Sequence, residues 1–517
     1  MLACAWLTAV TAPAQVWEPG NRRIDDPEGP QFQAQWGSVI TIGDFDGDGH
    51  ADLAVGAPEW DQPHNGSLLE DAGGVSVWAG GPGGLESERE VWFYGGAVDR
   101  QCGYALAAGD FDGDGDDELV VSYPGDSSHG TDHGGEVRVF DKELGSWGLD
   151  SVWFQGGPIP VANEPFDQLG QSLAVGDFDF DGYADLVIGV PGENIDPPLP
   201  TALDAGAVAV IYGSPNGLST SGVQYFHEAL VGLGGAQANA RFGFSLATGQ
   251  FSRDLYEDLV VGIPFRDAAG ATDSGQIVVL FGGADGLSIA GHQRLDDADF
   301  AGAVEAGDQF GYALAAGQFR STGACPVLEC YDELALGIPG EPIAGAAAAG
   351  GLLEIRGSMN GLNPGTAIFW TQDSLSGMSD PEAGDRLGSV LVAGELDGRD
   401  GVDLVVGVPD ENWVSNSDQG MIHVVFGGAQ GLVLSYPGQS RLQDGLATGP
   451  GGAGDRFGHA LGVGDFDGDG TGDLAVGVPG RAVGPGDFAG TVQLLRGALF
   501  ADGFQSGSTA GWSLTSP

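Results

Sequence analysis

GDFDGDGHADLAVGAP, residues Gly43 to Pro58, places Asp44, Asp46, Asp48 and Asp52 around two glycines and then turns apolar. The same phrase recurs along the chain. It reads GDFDGDGDDELVVSYP from Gly109, GDFDFDGYADLVIGVP from Gly176 and GDFDGDGTGDLAVGVP from Gly464. Altered copies begin at Gly249 (GQFSRDLYEDLVVGIP) and Gly394 (GELDGRDGVDLVVGVP). The copy from Gly317 is stretched by an insertion and ends DELALGIP at Pro339. Successive starts lie 66 to 77 residues apart. Such a period marks a repeat architecture, in which a unit buries its apolar faces against its neighbours.

Each repeat has the same grammar. An apolar residue and a glycine open it: Trp36-Gly37, Cys102-Gly103, Leu169-Gly170, Phe242-Gly243, Phe310-Gly311, Leu387-Gly388 and Phe457-Gly458. A first short strand leads into the acidic loop. The second strand, such as Asp185 to Pro191, is almost continuously apolar, as expected for a strand covered on both faces. A third strand follows a glycine (Gly73, Gly206, Gly275, Gly420), and a turn such as Asn216-Gly217-Leu218 sends the chain into a fourth. No amphipathic helix of useful length is visible. Four strands per unit and seven units predict an all-β fold, a seven-bladed β-propeller of four-stranded blades. A solenoid would need polar capping repeats, which the sequence does not show. Asn21 to Asp26 echoes His292 to Asp297, the fourth strand of blade 4. An N-terminal strand is therefore expected to complete the last blade and close the ring, removing an exposed sheet edge.

Composition narrows the function classes. The net charge is −55, with 73 acidic and 18 basic residues, and Lys142 is the only lysine. A field of this sign repels phosphate backbones and argues against nucleic-acid binding. The 94 glycines fall at fixed offsets within repeats, so they read as turns and not as disorder. Residues 1–14, with Ala12-Pro13-Ala14 at their end, read as a signal peptide; 15–498 as the propeller; and 499–517 as a C-terminal tail. No later apolar run is long enough to span a bilayer. A monomer, secreted or held at the cell surface, is expected. Cys325 and Cys330 are placed for a local disulfide, whereas Cys102 occupies a core position.

The acidic loops suit calcium, a hard cation that takes six to eight oxygens in flexible geometry. Carboxylates at positions 1, 3, 5 and 9 with glycine at 6 can wrap one ion, position 7 adding a backbone carbonyl. Blade 1 offers Asp44, Asp46, Asp48 and Asp52 with the carbonyl of His50; blade 2 offers Asp110, Asp112, Asp114 and Glu118 with that of Asp116. Blade 3 offers Asp177, Asp179, Asp181 and Asp185 with Tyr183, and blade 7 Asp465, Asp467, Asp469 and Asp473 with Thr471. An EF-hand needs a glutamate at position 12, where these loops have Val55, Val121, Ile188 and Val476. About four Ca2+ sites are expected. Blade 4 has Gln250, Ser252 and Arg253, blade 5 Gln318 and Arg320, and blade 6 Arg399 at position 5, so those loops are expected to be empty.

The Phe-Gly openings and Gly-x-Pro endings (Gly189-Val190-Pro191, Gly407-Val408-Pro409) resemble the FG-GAP repeat of the integrin α-subunit propeller, over roughly residues 20–498. The resemblance implies calcium in the hairpins between first and second strands, on one face of the disc, and ligands on the other. Candidate ligand loops are Glu59 to Ala72, Gly125 to His133, Gly192 to Ala205 and Asp410 to Gln419, with Trp60, His129 and Trp413 as contact residues. The expected function is an exported calcium-binding module for adhesion to an extracellular protein or glycan, with no catalytic residues. FG-GAP propellers also accompany a glycosylphosphatidylinositol-specific phospholipase D, so a hydrolase with a site on the upper face is the alternative. A passive structural surface protein is the third reading. No Gly-x-Ser-x-Gly elbow is present.

Overall fold

A computed structural model describes residues 22–25 and 34–497, apart from 66, 88, 144, 196–201, 233–234, 269, 301–303, 321–330, 376–379, 400, 414–415, 434–438, 443–450 and 485–486. The expected signal peptide, the C-terminal tail and the Cys325–Cys330 pair lie outside the described residues.

Seven four-stranded antiparallel sheets form the blades of a propeller. Blade 3 is typical: Leu173–Gly176, Asp185–Val190, Ala207–Ile211 and Gln224–His227 pair in sequence order from the inside out. The first strand of each blade touches the first strand of the next, and Leu461–Gly464 of blade 7 touches Val39–Gly43 of blade 1, closing the circle. All seven second strands, Asp52–Ala57 through Asp473–Val478, are buried along their whole length, as their continuous apolar character requires. Among the described residues the one α-helix is the single turn Gln372–Leu375.

Closure follows the sequence echo. Blade 7 takes three strands from its own repeat, and the fourth is Arg22–Asp25, antiparallel to Thr491–Leu495 with Ile24 opposite Val492. The outer edge of the last blade is thereby covered by the N-terminal strand.

The apolar-glycine openings are the seams between blades. Trp36, Cys102, Leu169, Phe242, Phe310, Leu387 and Phe457 are all fully buried. Each makes a parallel bridge to the glycine that starts the third strand of the preceding blade: Trp36 to Gly490, Cys102 to Gly73, Leu169 to Gly135, Phe242 to Gly206, and so around the ring. At Gly206 the backbone is left-handed (φ +83°), and an added Cβ would sit 2.3 Å from the Phe242 carbonyl oxygen. Only glycine fits so close to a neighbouring backbone. Cys102 packs as expected, its thiol pushed by burial up to about 12.

Candidate metal-binding loops

The four complete acidic loops join the first and second strands of blades 1, 2, 3 and 7, and each wraps around its position-1 aspartate. In blade 3 the position-1 residue Asp177 accepts N–H groups from Asp181 and Gly182, each at 3.1 Å. Asp44 takes Asp48 and Gly49 at 3.1 and 2.8 Å, and Asp465 takes Asp469 and Gly470 at the same distances. Asp110 takes Gly113 and Gly115 at 2.6 and 3.2 Å. The position-5 residues Asp48, Asp114, Asp181 and Asp469 accept the N–H of position 7, from His50, Asp116, Tyr183 and Thr471. The position-6 glycines Gly49, Gly115, Gly182 and Gly470 have φ between +87° and +103° with open space around them. Backbone handedness, not crowding, requires glycine there.

This wrapping gathers carboxylates. Ligand atoms of Asp44, Asp46 and Asp48, of Asp110, Asp112 and Asp114, and of Asp177, Asp179 and Asp185 lie within 4.8 Å of one another in each group. Asp179 Oδ1 is buried with no hydrogen-bond partner, and burial together with Asp181 and Asp177 pushes its pKa up. A cation would satisfy that oxygen and remove the repulsion, so the donor set fits calcium.

Position 9 has a second task. Asp52, Glu118, Asp185 and Asp473 open the buried second strands. Asp185 accepts the N–H of Phe178 and of Gly213, both at 2.9 Å, tying its strand to the loop and to the third strand. Asp52 does the same with Phe45 and Gly80, and so do Asp258 and Asp403 in blades 4 and 6. Burial pushes Asp185 and Glu118 up to about 8, Asp52 up to about 7 and Asp473 up to about 6. A carboxylate at position 9 is therefore needed by the blade whether or not a metal binds.

Two basic residues that sequence reading did not connect to the loops touch them. Lys142 Nζ, buried, lies 2.9 Å from Asp46 Oδ2 and 2.6 Å from Glu90 Oε1. Arg496 Nη1 lies 2.9 Å from Asp467 Oδ2. In the altered loops arginine stands among the carboxylates: Arg399 is 3.3 Å from Asp397 in blade 6, and Arg320 is 3.6 Å from Glu333 in blade 5.

On the opposite face, the expected contact residues pack into their blades to different degrees. Trp60 is 1% exposed and packs edge-on against Trp92 at 5.2 Å, so it supports the blade and offers no surface to a ligand. His129 stacks on Phe154 at 3.5 Å and lies 2.5 Å from Glu136, in a cluster that also holds Arg100, Asp126 and Arg138. Trp413 is half-buried against the core shared by blades 5 and 6. Among the described residues no helix is long and apolar enough to cross a membrane.

The profile of the FG-GAP repeat family matches residues 36–78, 103–140, 169–211 and 457–495, which are the four blades with complete acidic loops. Integrin alpha pat-2 of Caenorhabditis briggsae is 29% identical over 223 residues, 41% of this chain and 16% of that protein. Integrin alpha-8 of Mus musculus is 28% identical over 236 residues, 44% of this chain and 19% of that protein. Phosphatidylinositol-glycan-specific phospholipase D of Homo sapiens is 26% identical over 407 residues, 74% of this chain and 43% of that protein. The chain thus spans less than half the length of each of these relatives. With seven closed blades and family matches on four of them, the chain is an integrin-alpha-like FG-GAP β-propeller.

Proposed function

We propose that this propeller is an extracellular binding module of the adhesion type, stabilised by calcium in the loops of blades 1, 2, 3 and 7. The observation that carries the metal assignment is the shared wrap of those loops around their position-1 aspartates, which in blades 1, 2 and 3 brings three carboxylates together. In blades 5 and 6 an arginine of the loop itself stands beside the carboxylates. The loops' ligands are the twenty residues named from the sequence, the position-7 group acting through its carbonyl. The similarity to integrin alpha chains supports the adhesion reading, with an extracellular protein or glycan as ligand on the face opposite the loops. Calcium binds the folded loop only. At ten times Kd each site would add about 1.4 kcal/mol to stability.

Calorimetric titration of the chelator-stripped chain tests this. Replacing Asp44, Asp110, Asp177 and Asp465 together by alanine should remove four calcium ions and the rise in Tm they produce. Unchanged calcium uptake would refute the loop assignment. Conversely, Arg399→Asp with Asp400→Gly should add one ion in blade 6.

The phospholipase D similarity, which covers 74% of this chain, supports a hydrolase as second reading. Release of a glycosylphosphatidylinositol-anchored protein by the purified chain would establish it.

A further inference from the structure

On the face opposite the acidic loops, neighbouring blades meet through polar side chains at equivalent positions. One lies just after a fourth strand, one two residues after the proline that ends a second strand, and one two residues before the apolar-glycine opening. Between blades 2 and 3 these are Gln155, Glu193 and Asp167, and Gln155 donates to Glu193 at 2.6 Å. Between blades 5 and 6 they are Gln372, Glu411 and Asp385, and Gln372 donates to Glu411 at 2.6 Å. Between blades 3 and 4, Arg266 pairs with Glu228 at 2.5 Å and the third position is Ala240. Each of these three seams supplies an N–H donor to its buried glutamate, while Asp167 Oδ1 and Asp385 Oδ1 are left without a hydrogen-bond partner.

The seam between blades 4 and 5 breaks this rule. Its three positions are Asp297, Glu341 and Asp308, all carboxylates, with ligand atoms within 4.8 Å of one another. Asp297 is 5% exposed and Asp308 is fully buried. Asp308 Oδ2 accepts the Glu305 N–H at 2.6 Å, but Asp308 Oδ1 and Asp297 Oδ2 are buried with no hydrogen-bond partner. Nearby, Gln276 donates to Asp296 at 3.2 Å and leaves its own buried Oε1 unpartnered. Burial, reinforced by the neighbouring carboxylates, pushes Glu341 up to about 7 and Asp297 and Asp308 up to about 6. Unpaired buried carboxylates are costly, and three together call for positive charge.

We propose that a hard divalent cation binds between blades 4 and 5, held by the carboxylates of Asp297, Asp308 and Glu341. It takes the place that Arg266 or a glutamine amide fills at neighbouring seams. All-oxygen donors select calcium or magnesium over softer metals. Half-buried Glu341 leaves a route for water to complete the coordination. This site is separate from the hairpin loops, which lie at the other ends of the second strands.

The test is Asp297→Gln in the full chain, which restores the amide found at Gln155 and Gln372. Calcium chloride and magnesium chloride are titrated calorimetrically into stripped wild type and variant. The variant should bind one ion fewer, and in chelator it should melt above wild type because the repulsion is gone. A folded variant that binds as many ions as wild type, with unchanged affinities, overturns the proposal. If that variant does not fold, Asp308→Asn is read the same way. The chain with all four position-1 aspartates replaced should retain this one ion. A failure of the loop assignment therefore stays distinguishable from a failure of this one.

Discussion

Thr491 and Ile24 lie 467 positions apart in the chain, yet the buried Thr491 hydroxyl donates to the Ile24 carbonyl at 2.8 Å. This contact sits where the ring closes. Ile24→Ala removes a buried side chain from the seam and should cost about 2–5 kcal/mol, read as a fall in Tm. Deleting the chain through Asp25 should leave the Thr491–Leu495 edge open and produce dimers or aggregates in size-exclusion chromatography. A monomeric deletion variant with unchanged Tm would show that closure does not depend on this strand.

The seam glycines and the loop glycines look alike in sequence but differ in what they tolerate. Gly182 is left-handed (φ +90°) with no atom near its missing Cβ, so Gly182→Ala should cost only backbone strain, about 1–2 kcal/mol. Gly206 adds a clash with the Phe242 backbone, so Gly206→Ala should cost roughly 2–5 kcal/mol. Denaturant melts of the two variants give the comparison, and equal losses would contradict the seam geometry.

Much of this was legible in the residues. The period and the apolar-glycine openings suffice for the blade count, because each reflects a backbone requirement repeated seven times, and the Asn21 to Asp26 echo of one fourth strand points to closure. Lys142 was visible only as an exception: it stands where six blades have Gly80, Gly213, Gly282, Gly357, Gly427 and Gly497. Five of these donate their N–H to the position-9 carboxylate: Gly80, Gly213, Gly282, Gly427 and Gly497. Trp60 was misread because a tryptophan beside a variable loop gives no sign of which way it packs. The Asp297, Asp308 and Glu341 cluster stayed hidden because its members belong to two repeats and meet only when the blades do.

Lys142 should oppose calcium in blade 1, because its ammonium already holds Asp46. Lys142→Met frees that carboxylate and leaves it to repel its neighbours. The chelated variant should lose about 1–2 kcal/mol of stability, discounted for the partial exposure of Asp46 and Glu90. Calcium affinity at this loop should rise roughly tenfold, equivalent to about 1.4 kcal/mol. Calorimetry on the wild type and variant decides it. An unchanged affinity would mean that Asp46 is not a ligand.

Asp167, fully buried between blades 2 and 3, links stability to pH. Burial, then the charge of Glu193, pushes its carboxyl up to about 8, against the opposing hydrogen bond from the Glu164 N–H; the charges of Glu164 and Asp204 add to the rise. In the unfolded chain an aspartate ionises near pH 4. The folded state therefore holds this proton more tightly, and ionised Asp167 costs stability above about pH 8. That cost is relieved as pH falls through 8 and is gone below the unfolded pKa. In chelator, Asp167→Asn should raise Tm at about pH 8.5, and the gain should shrink steadily towards about pH 5. Differential scanning calorimetry across that window measures it. A gain that does not change with pH would show that Asp167 is not the titrating group.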